Sequence, residues 1–335
     1  MQAILINTTF QLGHHGCTLV DRQVNEMANA AGLQFAAKLP LHADWNAAAK
    51  GDFATIVVNG EGGLHHDSSA AQRIAQVPRW AQSVGKPAYL INTVYEANGP
   101  EVAAGIAQYR HVFARDDLSR RELVAAKIPA SLVPDLTLSW TPLILSKAGR
   151  SIVVTDSTLR KTNTHLHAFA NALGARFLPL MARPPGPFEP GGDARRWARF
   201  LARRLAGHLA PAGLWRDRWR GLIPEFDDFV AWLAQHAGLI VAGRFHAVCL
   251  ALDLEIPVLA VPSNTWKIES LLSEVGLKDR IIVDLGALQR TLAAQGPGQF
   301  AYSSEEIKSI RAFRISARQK ALDMFTSIHH ASKRA

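Results

Sequence analysis

Four stretches of the chain put chemically capable side chains just past runs of apolar residues. Ala242-Gly243-Arg244-Phe245-His246-Ala247 sets a guanidinium and an imidazole around one turn, and Pro262-Ser263-Asn264-Thr265-Trp266-Lys267 brings Ser263, Asn264 and an ammonium to the next. An Arg suits a carboxylate through its planar fork, a Lys suits a phosphate as a point charge, and a His titrates near neutrality. Together they describe a pocket for a small phosphorylated acid. Asn59-Gly60-Glu61-Gly62-Gly63-Leu64-His65-His66-Asp67 holds a carboxylate between glycines, an arrangement that exposes the side chain and suits sugar hydroxyls. Gly13-His14-His15-Gly16-Cys17 is a second glycine-bounded turn. Arg115, after Val112-Phe113-Ala114, and Asn92, after Ala88–Ile91, occupy equivalent positions.

Those positions make sense only if regular elements present them. Leu239–Ala242 is a short apolar run, Ala247, Val248, Leu250, Ala251 and Leu254 repeat at helical spacing, and Ile256–Val261 is a second apolar run. Strand, polar turn, helix, strand is the grammar of a parallel sheet with crossover helices. In such sheets ligands bind beyond the carboxyl ends of the strands, where helix N-termini favour anions. The pattern recurs at Ala3–Asn7, Thr55–Val58, Ala88–Asn92, Val112–Ala114, Ile152–Thr155 and Ile281–Asp284, with helices expected over Thr18–Ala31 and Ala70–Val84. The expected fold is therefore α/β, two Rossmann-like domains spanning 1–145 and 150–302, followed by a long helix over 303–332 opened by Ser303-Ser304-Glu305-Glu306. Asp193–Leu209 is an amphipathic helix with Trp197, Phe200, Leu201, Leu205 and Leu209 on one side and arginines on the other. A solvated arginine face over a core-facing stripe is the preferred reading. Peripheral contact with an anionic membrane surface, aided by Trp215 and Trp219, is the alternative.

The totals narrow the field. With 335 residues there is material for two cores, and 48% hydrophobic with 19% charged residues is an ordinary globular composition. No apolar run reaches the roughly 18–20 residues that span a bilayer, and the N-terminus lacks the basic start of a signal peptide. Two cysteines argue against a disulfide framework and for a cytoplasmic protein. A net charge of +9 points to acidic partners, yet no aromatic-studded nucleic-acid motif is present, so nucleic acid is not expected. His14, His15, Cys17, His65, His66 and Asp67 could ligate a metal if their turns met. Adjacent His pairs rarely serve one ion, however, and no HExxH or CxxC spacing occurs, so no metal is expected.

The run from Ala242 to Val261 with Lys267 beyond it, the Gly13–Cys17 turn, the Gly60-Glu61-Gly62 segment, Arg115 with Ser119, and Asp135 resemble the polysaccharide pyruvyl transferase family. Where the family usually shows Gly-Asn-x-Gly-Asp, this chain has Cys17 at the position of the Asp. The resemblance implies a GT-B-like pair of domains with an interdomain cleft, the acceptor on the N-terminal side and the donor on the C-terminal side. It also implies phosphoenolpyruvate as co-substrate with no other cofactor, a glycan acceptor that is free or lipid-linked, and a ketal product. His246, Arg244, Arg115 and Glu61 are then the catalytic candidates. Lys267, Ser263, Asn264, His14, His15, Gly60, Gly62, His65, His66 and Asn92 are the substrate-binding ones. A glycosyltransferase using a nucleotide sugar and a catalytically degenerate glycan-binding protein are the alternatives.

Overall fold

The computed structural model describes residues 1–9, 13–48, 51–143, 149–181, 194–209 and 222–333. The Pro-rich stretch 183–192 and Trp215–Arg220 lie outside the described residues. Contacts divide the chain into two units. One comprises 1–9, 20–139 and 314–335, and the other comprises 10–19 and 140–313.

The first unit is built on strands β1 (Gln2–Ile6), β2 (Gln34–Leu39), β3 (Thr55–Glu61), β4 (Ala88–Thr93), β5 (His111–Ala114) and β6 (Ala130–Leu132). All pairings are parallel, in the order β2-β1-β3-β4-β5-β6. Both faces are covered. Ile4, Ile6, Ile56, Val58 and Leu90 point into one apolar layer, and Ala3, Leu5, Val57, Tyr89 and Ile91 into the other. That alternation explains why the strands read as continuous apolar runs: a strand buried on both sides has no polar face. The second layer is completed by Ala321, Met324, Phe325 and Ile328 of the helix Ser304–Lys333. The long helix, expected to stand apart at 303–332, thus gives its C-terminal part to the first core.

The second unit carries β7 (Ser151–Val154), β8 (Arg176–Phe177), β9 (Ala237–Ala242) and β10 (Val258–Ala260), again parallel, in the order β10-β9-β7-β8. Residues 13–19, sequentially part of the first half, join this unit because the His15 N–H donates to the Leu180 carbonyl at 3.0 Å. The strand expected at Ile281–Asp284 reduces to one bridge between Ile281 and Ala260, and Val283 is 88% exposed. On the helix Ala194–Leu209, Leu201 and Leu205 are 41% and 64% exposed instead of core-facing.

Both sheets reverse direction at one place: the chain runs outward from β1 to β2 on one side and returns to β3 on the other, and likewise from β7 to β8 and back to β9. Such a reversal leaves a crevice at the carboxyl ends of the two central strands, uncovered by either crossover connection.

Candidate functional site

In the second unit the reversal lies between the ends of β7 and β9, and the residues there are Thr155, Asp156, Gly243 and Arg244. The Thr155 hydroxyl accepts from the Gly243 N–H at 2.9 Å, tying the two strand ends together. Arg244 donates through Nε and through a terminal nitrogen to Asp156 Oδ2, each at 2.7 Å. Asp156 is 1% exposed, and its other oxygen accepts from the Leu180 N–H at 2.9 Å. This pairing fixes the Arg244 guanidinium at the start of the helix Phe245–Asp253, with 17% of its side chain still exposed. Gly243 permits it, since a Cβ there would meet the Asp156 carbonyl oxygen at 2.7 Å.

His246, in the first turn of that helix, packs against the backbone of Gly16, where any Cβ would overlap its ring. The His14 ring meets it edge-on with centroids 5.6 Å apart. His14 Nδ1 accepts from the N–H groups of Gly16 and Cys17 at 3.1 and 3.4 Å. An accepting Nδ1 carries no proton, so His14 is the tautomer with its hydrogen on Nε2. Burial first, then repulsion from His246 and Arg244, holds the His14 pKa well below the usual histidine value. His15 points elsewhere: its ring stacks on Phe229 at 4.0 Å, its Nε2 donates to the Ile223 carbonyl at 2.9 Å, and burial lowers its pKa to about 4. At the end of β10, Lys267 opens the helix Lys267–Glu274. Its Nζ donates to Asn264 Oδ1 at 2.7 Å, and the Ser263 hydroxyl donates to the same oxygen at 3.1 Å.

In the first unit the reversal lies between the ends of β1 and β3, where Asn7, Thr9, Asn59 and Glu61 meet. The Thr9 hydroxyl donates to Glu61 Oε1, as does Asn59 Nδ2 at 3.1 Å, and Asn92 Nδ2 donates to Asn59 Oδ1 at 3.2 Å. Asn7 Nδ2 donates to the Asn59 carbonyl at 2.6 Å. Burial raises the Glu61 pKa above the ordinary carboxyl value; the Asp135 charge adds to this, while the bond from Thr9 and the charge of Arg115 oppose it. Arg115 is 4% exposed and pairs with Asp135 at 3.2 Å, and its terminal nitrogen lies 3.7 Å from where a Cβ on Gly62 would be. Gly60 has no room for a side chain beside Thr93. Asn7, Glu61, His66, Asp67, Asn92 and Ala97 all have positive φ, between 43° and 66°. Strained backbone of this kind persists where surrounding contacts over-determine it, and it clusters at functional sites. His65 and His66 sit on this turn with their Nδ1 atoms 3.3 Å apart.

The sequence-predicted residues therefore fall into two groups. Glu61, Arg115, Asn92, Gly60, Gly62, His65 and His66 lie at the carboxyl edge of the first sheet. Arg244, His246, His14, His15, Ser263, Asn264 and Lys267 lie in the second unit. Sequence reasoning passed over Thr9, Asn59, Thr155 and Asp156. Each follows or ends a strand, the same signal that singled out Arg115, and each is marked by its partner more than by its neighbours. Among the described residues no group of three or more His, Cys, Asp or Glu could hold a metal ion, and no helix is long and apolar enough to cross a membrane.

Two doubly wound parallel sheets with polar crevices at their reversals define an α/β protein of the kind whose ligands bind beyond the carboxyl ends of the strands. The solved UGT2 structures share the fold. The UGT2 of Phytolacca americana, complexed with UDP-2fluoro-glucose and pterostilbene, aligns over 99% of this chain and 99% of its own at 10% identity with a TM-score of 0.50. The UDP-GlcNAc 2-epimerase of Methanocaldococcus jannaschii aligns over 93% and 99% at 10% identity, with a TM-score of 0.48. No curated protein matches the sequence significantly. The model of the family described as polysaccharide pyruvyl transferase matches residues 36–265, and the chain belongs to that family. It is a transferase.

Proposed function

We propose that the protein transfers the pyruvyl group of phosphoenolpyruvate to two hydroxyls of a sugar residue in a bacterial surface polysaccharide or its lipid-linked precursor, forming a cyclic ketal and releasing phosphate. The observation that carries this reading is the Arg244–Asp156 pair beside His246 at the β7/β9 reversal, inside the region matched by the family model. Work on a lipid-linked precursor would put the enzyme in the cytoplasm, at the inner face of the membrane.

In this reading Arg244 supplies a guanidinium for the donor's carboxylate and phosphate, while Arg115, enclosed with Asp135, keeps a fixed cation beside Glu61. Lys267, with Ser263 and Asn264 around it, and the N-terminus of the helix Phe245–Asp253 stabilise charge on the departing phosphate. His246 gives a proton to the donor's methylene carbon, and the carbon bearing the phosphate becomes oxocarbenium-like. The first sugar hydroxyl adds there and its proton passes to Glu61, whose raised pKa suits a base operating near neutrality. Glu61 hands that proton to the departing phosphate, whose loss regenerates the electrophile, and the second hydroxyl closes the ring as its own proton restores His246. Asn92, Gly60, Gly62, His14, His65 and His66 shape and line the sugar's surroundings, whereas His15, stacked on Phe229, supports the turn from behind.

The test is incubation of the purified protein with phosphoenolpyruvate and fragments of acidic and neutral surface glycans. Phosphate release coupled to a mass gain on the glycan is expected. Release of nucleotide from sugar nucleotides, with no phosphate from phosphoenolpyruvate, rejects the reading. His246→Ala should lower turnover by ~10²–10⁴ as for loss of a general acid; unchanged turnover in the folded variant removes His246 from that role.

A further inference from the structure

The helix Ala194–Leu209 of the second unit is built in a way that its own stability does not explain. Its 16 residues include five arginines and neither Asp nor Glu. Arg195 and Arg196 fall in the first turn, where a cation opposes the helix dipole and an acid would complement it. Arg195, Arg199 and Arg203 follow at four-residue spacing, which sets like charges along one side and disfavours an isolated helix. On the opposite side Trp197, Leu201 and Leu205 also recur every four residues. A surface helix ordinarily turns such a row to the core. Here Leu201 and Leu205 are 41% and 64% exposed, and apart from half-buried Trp197 every residue of the helix whose burial is described is exposed. The apolar layer around Val154, Leu166 and Leu239 takes none of the three.

Two needs are left open: an apolar phase for the leucine row and negative charge for the arginines. An anionic bilayer surface meets both. Five charges in so short a helix rule out crossing, so the helix would lie in the interface plane with its apolar side about 5–10 Å deep. Leu201 and Leu205 are one turn apart, about 6 Å along the axis, so both reach that depth together. Arginine stems are long enough to run back from such a helix to the headgroups. Arg199 Nε donates to the Arg195 carbonyl at 3.3 Å, a neutral acceptor that leaves the positive charge in place. Duplex nucleic acid would neutralise the arginines but leave the leucines in water. The net charge of +9 on the whole chain favours an extended anionic surface over a single acidic groove.

We propose that the helix Ala194–Leu209 docks on an anionic phospholipid surface, with Leu201 and Leu205 at the acyl boundary and its arginines among the headgroups. A lipid-linked acceptor would be met at that surface, a purpose that rests on the function proposed above. Docking itself is measured without donor or acceptor, so its failure and the failure of pyruvyl transfer are separate results. Full-length protein is titrated with vesicles of phosphatidylcholine alone and of phosphatidylcholine containing about 30% phosphatidylglycerol, and bound protein is recovered by flotation. The titration is repeated for Leu201→Ser/Leu205→Ser, for Arg199→Gln/Arg203→Gln and for a control in the first unit, Arg79→Gln/Arg110→Gln. Wild type should bind the anionic vesicles at least about tenfold more tightly than the neutral ones, and raised salt should release it. Each cation near an anionic surface adds roughly fivefold, so the Arg199/Arg203 variant should lose about tenfold or more. The Leu201/Leu205 variant, with every charge kept, should lose about tenfold or more through its apolar surface. The control should bind like wild type. Thermal unfolding checks that each variant folds, and Leu201→Gln/Leu205→Gln gives the same reading if the serines disrupt the helix. No binding to anionic vesicles, equal binding to neutral ones, retained binding in either targeted variant, equal loss in the control, or displacement from the vesicles by an equal weight of duplex DNA would each overturn the proposal.

Discussion

The crevices of the two units share a topology and solve opposite problems. At the β1/β3 reversal a carboxyl group, Glu61, is buried and its pKa rises; at the β7/β9 side an imidazole, His14, is buried and its pKa falls. One cause, loss of hydration of the charged form, drives both toward neutrality. The means of construction differ as well. The first corner is shaped by side-chain bonds and six non-glycine residues forced to positive φ, whereas the second depends on backbone approach at Gly16 and Gly243 and on Arg244 being pinned by Asp156. The two arginines make the contrast concrete. Arg115 is enclosed with its carboxylate, while Arg244 keeps part of its surface in solvent.

The largest effect expected from this contrast concerns those arginines. Arg115→Ala leaves Asp135 buried without its cation and should cost about 3–5 kcal/mol of stability in urea unfolding. Arg244→Ala should cost only about 1–2 kcal/mol, because 17% of the Arg244 side chain already lies in solvent and water can take its place beside Asp156, and should instead abolish donor binding. If the stabilities came out equal, the enclosed pair and the accessible one would not differ as described.

Acidity separates the corners next. His15, at about 4 when folded against an ordinary 6.5, binds fewer protons in the native state than in the unfolded one. Its contribution is complete above 6.5 and is lost as pH falls toward 4, about 3 kcal/mol in all at 1.36 kcal/mol per pKa unit. His14, also lowered, acts in the same direction. Glu61 runs the other way: its raised pKa makes the native state hold a proton longer, so its contribution is present in acid and declines as pH climbs from the usual carboxyl value through its folded one. Between about pH 4.5 and 6.5, His15→Leu should make stability rise less steeply with pH and Glu61→Gln should make it fall less steeply; slope changes of the same sign would contradict the assignment.

The smallest effect is between glycines. Gly16→Ala pushes a methyl into the His246 ring and should destabilise by about 1–3 kcal/mol, with turnover falling alongside. Gly62→Ala meets only a guanidinium nitrogen at 3.7 Å and should change stability by about 0.5 kcal/mol or less. A tolerated Gly16→Ala, checked by thermal unfolding, would show that the His246 ring has room to move.

The sequence disclosed strand ends well, since a buried parallel strand is an apolar run and its end is the first polar residue; Glu61, Arg115 and Arg244 were found that way. It disclosed helix starts less well. The helix expected from Thr18 begins at His15 because His14 caps it through Nδ1, a role usually given to Ser, Thr, Asp or Asn. Asp156 was passed over because its importance comes from Arg244, 88 residues on, and local pattern carries no information about such a partner. Helical periodicity found the apolar stripe of Ala194–Leu209 but not its surroundings; a stripe is a property of the helix, and its cover is a property of the fold.

The helix Ser304–Lys333 has a consequence for how the protein is made. Ala321, Met324, Phe325 and Ile328 share one apolar layer with Ala3 and Leu5 of the first strand, more than three hundred residues earlier. During translation that flank of the opening strand is covered only in part, by Val20, Val24 and Met27, until those four residues have left the ribosome. The interval is when the nascent chain is exposed to aggregation and most in need of a chaperone.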